Sequence, residues 1–327
     1  MNRTNLFLTV ILIVQAILIT IIALPKGGNA QTDGGALLAN YDPNSVESIT
    51  ISDSTGKQIQ VVKTNNGWVL ANADNYPAQA TRIDTILSAL AGLNTSRLVS
   101  DNRANQRRLG VADDQYERKV EVVQGNQTYI VYIGTSGGAN ATHTRLDGQD
   151  QVYLNRDISP ASFSTELTTW SQTEYIRVDK EKVVSMTITN ANGTFEFNKV
   201  DGTWQMVGLA SGETFNEQNF TTLLDKVVAF NLRKPLGKEA LPDYGFDDPL
   251  ATVTFVVRDT LATGESEDDN NTGQTLDITY ELVIGGRYED GFAVKLNRSD
   301  FYVLASSFYA TDFTEKQRND FIVAVGN

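Results

Sequence analysis

The chain has 327 residues, a formal net charge of −13, one His and no Cys. An acidic surface disfavours nucleic acid, which wants clustered Lys and Arg, and disfavours tight binding to anionic lipid headgroups. Without Cys there is no disulfide framework and no lipoprotein attachment, and one His alone cannot supply the N/S ligands of a zinc site.

Residues 1–5, with Arg3, precede an apolar run from Leu6 to Leu24 that is broken only by Thr9, Gln15 and Thr20. A crossing helix needs about 20 apolar residues. Residues 6–24 are therefore expected to form a transmembrane anchor at the cell membrane, with 1–5 cytoplasmic and the bulk of the chain extracytoplasmic. A cleaved leader is the alternative, since Gly28-Asn29-Ala30 offers small residues. Leader cores, however, run about 7–15 residues, shorter than this one. Arg3 is nearly balanced by Lys26, so orientation rests on the large hydrophilic portion that follows a single span. Polar side chains inside a span often face another helix, and the Gln15 face is expected to meet a partner membrane protein. Residues 25–44 are rich in Gly, Ala, Asn and Asp and read as a flexible linker.

From there one ordered series of features recurs, over 45–175 and again over 176–327. Val46-Glu47-Ser48-Ile49-Thr50-Ile51 opens the first copy and Val184-Ser185-Met186-Thr187-Ile188 the second. A Gly turn (Gly56, Gly193), a strand ending in Lys (Lys63, Lys199) and a Trp just after a Gly (Trp68, Trp204) follow in each. A helix comes next. In copy one Pro77 and Thr81 mark its start, and Ile83, Leu87, Leu90 and Ala91 share a face. In copy two Thr214 or Asn216 starts it, and Phe220, Leu223, Leu224, Val227 and Val228 supply the face. Leu109-Gly110-Val111 is matched by Tyr244-Gly245-Phe246, with the Gly expected at positive φ. Strands over Val120–Val123 and Tyr129–Gly134 correspond to Val253–Val257 and Tyr280–Gly285. A closing pair, His143–Leu146 with Val152–Leu154, corresponds to Phe292–Leu296 with Tyr302–Leu304. A last helical stretch carries Phe163, Leu167 and Trp170, against Phe308 and Phe313. The expected fold class is α+β: two tandem copies of a mostly antiparallel sheet-plus-helix unit behind one N-terminal transmembrane helix. The two Trp residues are expected to seal helix against sheet, because large aromatics turn inward.

That order of marks resembles the bacterial membrane-anchored proteins grouped as "domain of unknown function 4340". Copy two carries it most fully, through Asp243-Tyr244-Gly245-Phe246-Asp247-Asp248-Pro249, whereas Leu109-Gly110-Val111 lacks the following Pro. The family is usually met beside ABC transporter components of the kind linked to gliding motility. The resemblance implies an extracytoplasmic accessory of such a transporter, with a permease as partner, and brings no catalytic residues.

Four features invite chemistry and none assigns it. His143 lies between two Thr in a strand and is expected to face solvent; a triad would also need an oriented nucleophile and acid. Gly134-Thr135-Ser136-Gly137-Gly138 lacks the Lys-Ser/Thr ending and following helix of a phosphate loop, and reads as a hairpin loop. The acidic run Gly264–Gly273 lacks the ligand spacing of a calcium loop and reads as a solvated insertion. Asp247-Asp248 precede Pro249 and read as a turn. No catalytic, cofactor-binding or metal-binding residue is therefore expected. The expected function is a non-enzymatic, membrane-anchored accessory or binding protein of an ABC-type transporter. The alternatives are a structural or adhesive cell-surface protein, or an envelope glycan or peptide hydrolase with two carboxylates in a cleft.

Overall fold

The computed structural model describes residues 34–138, 140–260 and 275–324. The expected anchor at 6–24 and the acidic run 264–273 lie outside the described residues. Among the described residues, no helix is long and apolar enough to cross a membrane.

The first half of the chain forms β1 (Ser48–Ser52), β2 (Gln58–Thr64), β3 (Gly67–Leu70), β4 (Tyr76–Pro77), α1 (Ala80–Ala91), β5 (Leu98–Ser100), β6 (Arg118–Gln124), β7 (Gln127–Gly138), β8 (Ala141–Leu146), β9 (Val152–Arg156) and the single turn α2 (Leu167–Trp170). The second half forms β10 (Val183–Asn190), β11 (Gly193–Val200), β12 (Thr203–Met206), β13 (Glu213–Phe215), α3 (Glu217–Val228), β14 (Lys234–Gly237), β15 (Ala251–Thr260), β16 (Thr275–Tyr288), β17 (Gly291–Leu296), β18 (Tyr302–Ser306), α4 (Ser307–Thr314) and β19 (Ile322–Ala324). The architecture is α+β with mostly antiparallel sheets. Among the described residues, contacts group the chain into two compact units, one made of the residues up to Lys57 with Asp84–Ser164 and the other of Gln58–Ile83 with the residues from Thr165 onward.

In the first unit the strands run β1-β6-β7-β8-β9-β5. Ile49 pairs with Val122 and Ile51 with Val120, and Val120 pairs in turn with Val131. All five side chains are fully buried. They lie two residues apart along each strand, as a sheet with one covered face requires. The ladder continues through Ile133 with Thr144 and His143 with Leu154. The turn of β1 toward Lys57 is held by Asp53, whose carboxylate accepts from the backbone N–H of Thr55 at 2.9 Å and of Lys57 at 3.2 Å.

In the second unit an eight-stranded sheet runs β12-β11-β10-β15-β16-β17-β18-β14, and β13 pairs separately with β19. Its registers are Met186 with Phe255, Ile188 with Val253, Val253 with Leu282, Ile284 with Val294 and Ala293 with Leu304. Helix α3 starts at Asn216, whose side chain accepts from the Asn219 N–H at 3.3 Å, satisfying one of the unpaired first-turn donors. It buries Phe220, Leu223, Leu224, Val227 and Val228. The Phe220 ring lies 4.5 Å from Phe197 of β11 and 4.6 Å from Trp204 of β12. Helix and sheet therefore meet through tilted aromatic pairs.

This unit also contains β2, β3 and β4. Tyr76 donates to the Gln172 carbonyl at 3.0 Å, and its ring sits edge-on to Phe301 at 4.9 Å. The Lys238 N–H donates to the Asp74 carboxylate at 2.9 Å, and the Gln79 N–H to the Trp170 carbonyl at 2.7 Å.

Three local expectations need correction. Gly134–Gly138 does not form a hairpin loop; it is the last part of β7, which bulges after Ile133. Gly285-Gly286 likewise lies inside β16. Ala91 is exposed, and Ile86 takes the buried position on α1. Phe163 is buried but precedes α2, which is only four residues long.

Candidate functional site

The marks that repeat along the sequence end in packing. Gly110 and Gly245 both have φ of 69°, a left-handed backbone that suits Gly. The carbonyl oxygen just before each turn, from Leu109 or Tyr244, abuts the Cα of Gly134 or Gly285 so closely that a Cβ there would overlap it. The bulge of β7 comes after Ile133 and that of β16 after Ile284. The Thr135 N–H donates to the Leu109 carbonyl at 2.9 Å. The Ile-Gly signature is thus the seat of the preceding Gly turn. Trp68 and Trp204 are buried, at 8 % and 9 % exposure, so neither offers an open stacking platform.

His143 is half-buried, not solvent-facing. Its Nδ1 donates to the Thr135 carbonyl at 2.8 Å, and the Thr135 hydroxyl lies 3.1 Å from the same nitrogen. Burial holds the imidazole below its ordinary pKa of 6.5, and Arg108 adds to that effect. The ring is tied to a carbonyl, and the nearby charge is cationic. Asp247 and Asp248 sit in the turn that leads into β15. Among the described residues, no group of three or more His, Cys, Asp or Glu is placed to hold a metal ion.

The polar constellation that stands out was not singled out in the sequence. Arg145 of β8 is 2 % exposed. Its Nε donates to the Val111 carbonyl at 2.6 Å and its Nη1 to the Gln149 carbonyl at 3.1 Å. Its Nη2 pairs with Asp113, and its guanidinium stacks 4.2 Å from the centroid of Tyr132. Gln106 is equally buried and reaches the Gln149 and Asp150 carbonyls at 3.4 and 3.3 Å. The other Asp113 oxygen pairs with Arg103 at 2.9 Å, and Arg107 pairs with Asp114. Burial, together with Asp147 and Asp113, pushes the Tyr132 hydroxyl up to about 12. Beneath the turn lies a small core of Leu109, Val111, Tyr132 and Val152. Arg103, Gln106, Arg107, Asp113 and Asp114 line a concavity of about 500 Å³. The sequence signal for this site is an Arg at a buried strand position with an Asp-Asp pair and spaced Arg residues upstream.

The model of the family described as "Domain of unknown function (DUF4340)" matches residues 68–236. The chain belongs to the DUF4340 family. The DUF4340 match opens at Trp68 and closes within β14, so it takes in the Leu109-Gly110 turn, the Ile133-Gly134 bulge and Trp204. It stops short of Asp243–Pro249, on which the sequence resemblance leaned most. No curated protein and no solved structure matches the chain.

Proposed function

We propose that this DUF4340 protein is a non-enzymatic, membrane-tethered accessory of an ABC-type transporter, built from two tandem copies of one sheet-plus-helix scaffold. The copies are taken as 45–175 and 176–327, with the first contributing Gln58–Ile83 to the second compact unit. The observation that carries the reading is the common register of the two sheets. Val120 opposite Val131 corresponds to Val253 opposite Leu282, Ile133 opposite Thr144 to Ile284 opposite Val294, and His143 opposite Leu154 to Ala293 opposite Leu304. A scaffold used twice devotes its patterned residues to packing, which leaves its surface for partners. The tether is the apolar run 6–24, and the transporter association comes from the family resemblance.

Purification of the full-length chain from membranes in mild detergent, with mass identification of what accompanies it, tests this. An ABC-type permease subunit is expected in stoichiometric amount, and its recovery is expected to fall with Gln15→Leu. A chain that purifies alone, or only with copies of itself, counts against the transporter reading and for the structural one.

A further inference from the structure

The stretch from Arg97 to Asp114 holds four Arg (97, 103, 107, 108) and three acids (Asp101, Asp113, Asp114), in a chain of net charge −13. Two of these, Arg103 and Arg107, line the concavity beside the buried Arg145. We infer that this concavity is a receptor for a small oxyanion, the phosphate or carboxylate group of a soluble ligand, gripped by the Arg103 and Arg107 guanidiniums.

Its floor is fixed. Arg145 and Gln106, each 2 % exposed, converge on the Gln149 carbonyl, and Arg145 also binds the Val111 carbonyl. Such a satisfied buried network holds the turn in one shape. Its walls are exchangeable. Arg103 is 72 % and Arg107 66 % exposed, and each is held by one partly exposed carboxylate. Exposed pairs of this kind contribute little to stability. A planar guanidinium fork matches two oxygens of a phosphate or carboxylate better than it matches a single carboxylate oxygen. Releasing Arg103 is cheap for a further reason: Asp113 keeps Arg145, so no buried charge is left unpaired. The volume, about 500 Å³, falls in the range of small-molecule sites.

The inference is independent of the transporter reading, because phosphate binding and permease recovery can each fail alone. Isothermal titration of the full-length protein in detergent, at fixed ionic strength, uses inorganic phosphate and succinate as separate probes. The wild-type chain, R103Q/R107Q and R103K/R107K are compared. Saturable binding of at least one probe is expected, and the tighter probe identifies the group. Each lost guanidinium is expected to weaken binding about tenfold, the size of one charge-assisted hydrogen bond. The Lys variant is expected to weaken as well, since an ammonium cannot fork. All three proteins should melt alike, because both side chains are largely exposed. Absence of saturable heat in the wild type overturns the inference, and so does a Lys variant that binds as tightly as the wild type.

Discussion

The carbonyl oxygen of Tyr244 occupies the space that a Cβ on Gly285 would need. Leu109 and Gly134 stand in the same relation in the first unit. The obstruction in each case is backbone, which cannot swing aside as a long side chain can. Gly285→Ala is therefore expected to destabilise the protein by about 1–3 kcal/mol, the usual cost of overpacking, and Gly134→Ala by a similar amount. Gly35 has nothing within 4 Å of its would-be Cβ, so Gly35→Ala should stay within about 0.5 kcal/mol of wild type. Urea denaturation of the three variants checks this. Equal midpoints would show that the bulges tolerate a side chain.

The hairpin containing Tyr76 packs with residues far along the chain. Its ring meets Phe301 edge-on at 4.9 Å, and its hydroxyl reaches the Gln172 carbonyl. Aromatic pairs of this geometry contribute about 0.5–1.5 kcal/mol beyond area burial. A double-mutant cycle with Tyr76→Leu and Phe301→Leu should return a coupling of that size. A coupling near zero would mean that the Tyr76 ring does not pack against Phe301 in solution.

How far the sequence could be read depended on whether the cause was local. Asn216 as a helix start, the positive φ of Gly110 and Gly245, and the inward Trp204 follow from short-range chemistry, and the structure places each as expected. Gly134–Gly138 misled because a Gly-rich run resembles a loop; the need for Gly is set by the Leu109 carbonyl, which lies elsewhere in the sequence. The grouping of Gln58–Ile83 with the second unit depends on Asp74 with Lys238 and Tyr76 with Phe301, pairs that no periodicity reveals. The role of Arg145 is hidden in the sequence for the same reason. An Arg in a strand reads as solvated until the turn that covers it is known.

Tyr309 carries a different cost. Its hydroxyl is buried and has no hydrogen-bond partner among the described residues, while its ring stacks on Phe230 at 4.1 Å. An unsatisfied buried hydroxyl costs about 1–3 kcal/mol, so Tyr309→Phe should leave stability unchanged or raise it. The pH dependence has a definite sign. Burial holds the folded-state pKa well above the ordinary 10.0. Above pH 10 the unfolded chain releases this proton and the folded chain keeps it, so stability falls as pH rises, by up to about 1.4 kcal/mol per pH unit. Denaturation at pH 9 and pH 11 should show a smaller drop for Tyr309→Phe than for wild type. Identical drops would place the hydroxyl in contact with water.

Arg145 holds the turn over the candidate receptor through one planar group with three partners: the Val111 carbonyl, the Gln149 carbonyl and Asp113. A Lys ammonium is compact and cannot reach all three at once. Arg145→Lys keeps the charge and should still cost about 1–3 kcal/mol, as at least one buried acceptor loses its donor. Arg145→Met preserves much of the packing on Tyr132 but leaves both carbonyls without this donor and Asp113 with Arg103 alone, so it should cost more than Lys. A local readout separates a loosened turn from general instability. Trypsin cleavage after Arg103, Arg107 or Arg108, under conditions where the fold persists, should quicken in the order wild type, Lys, Met. Cleavage at one rate in all three proteins would mean that the turn is held by its apolar core of Leu109, Val111 and Val152, with the guanidinium incidental.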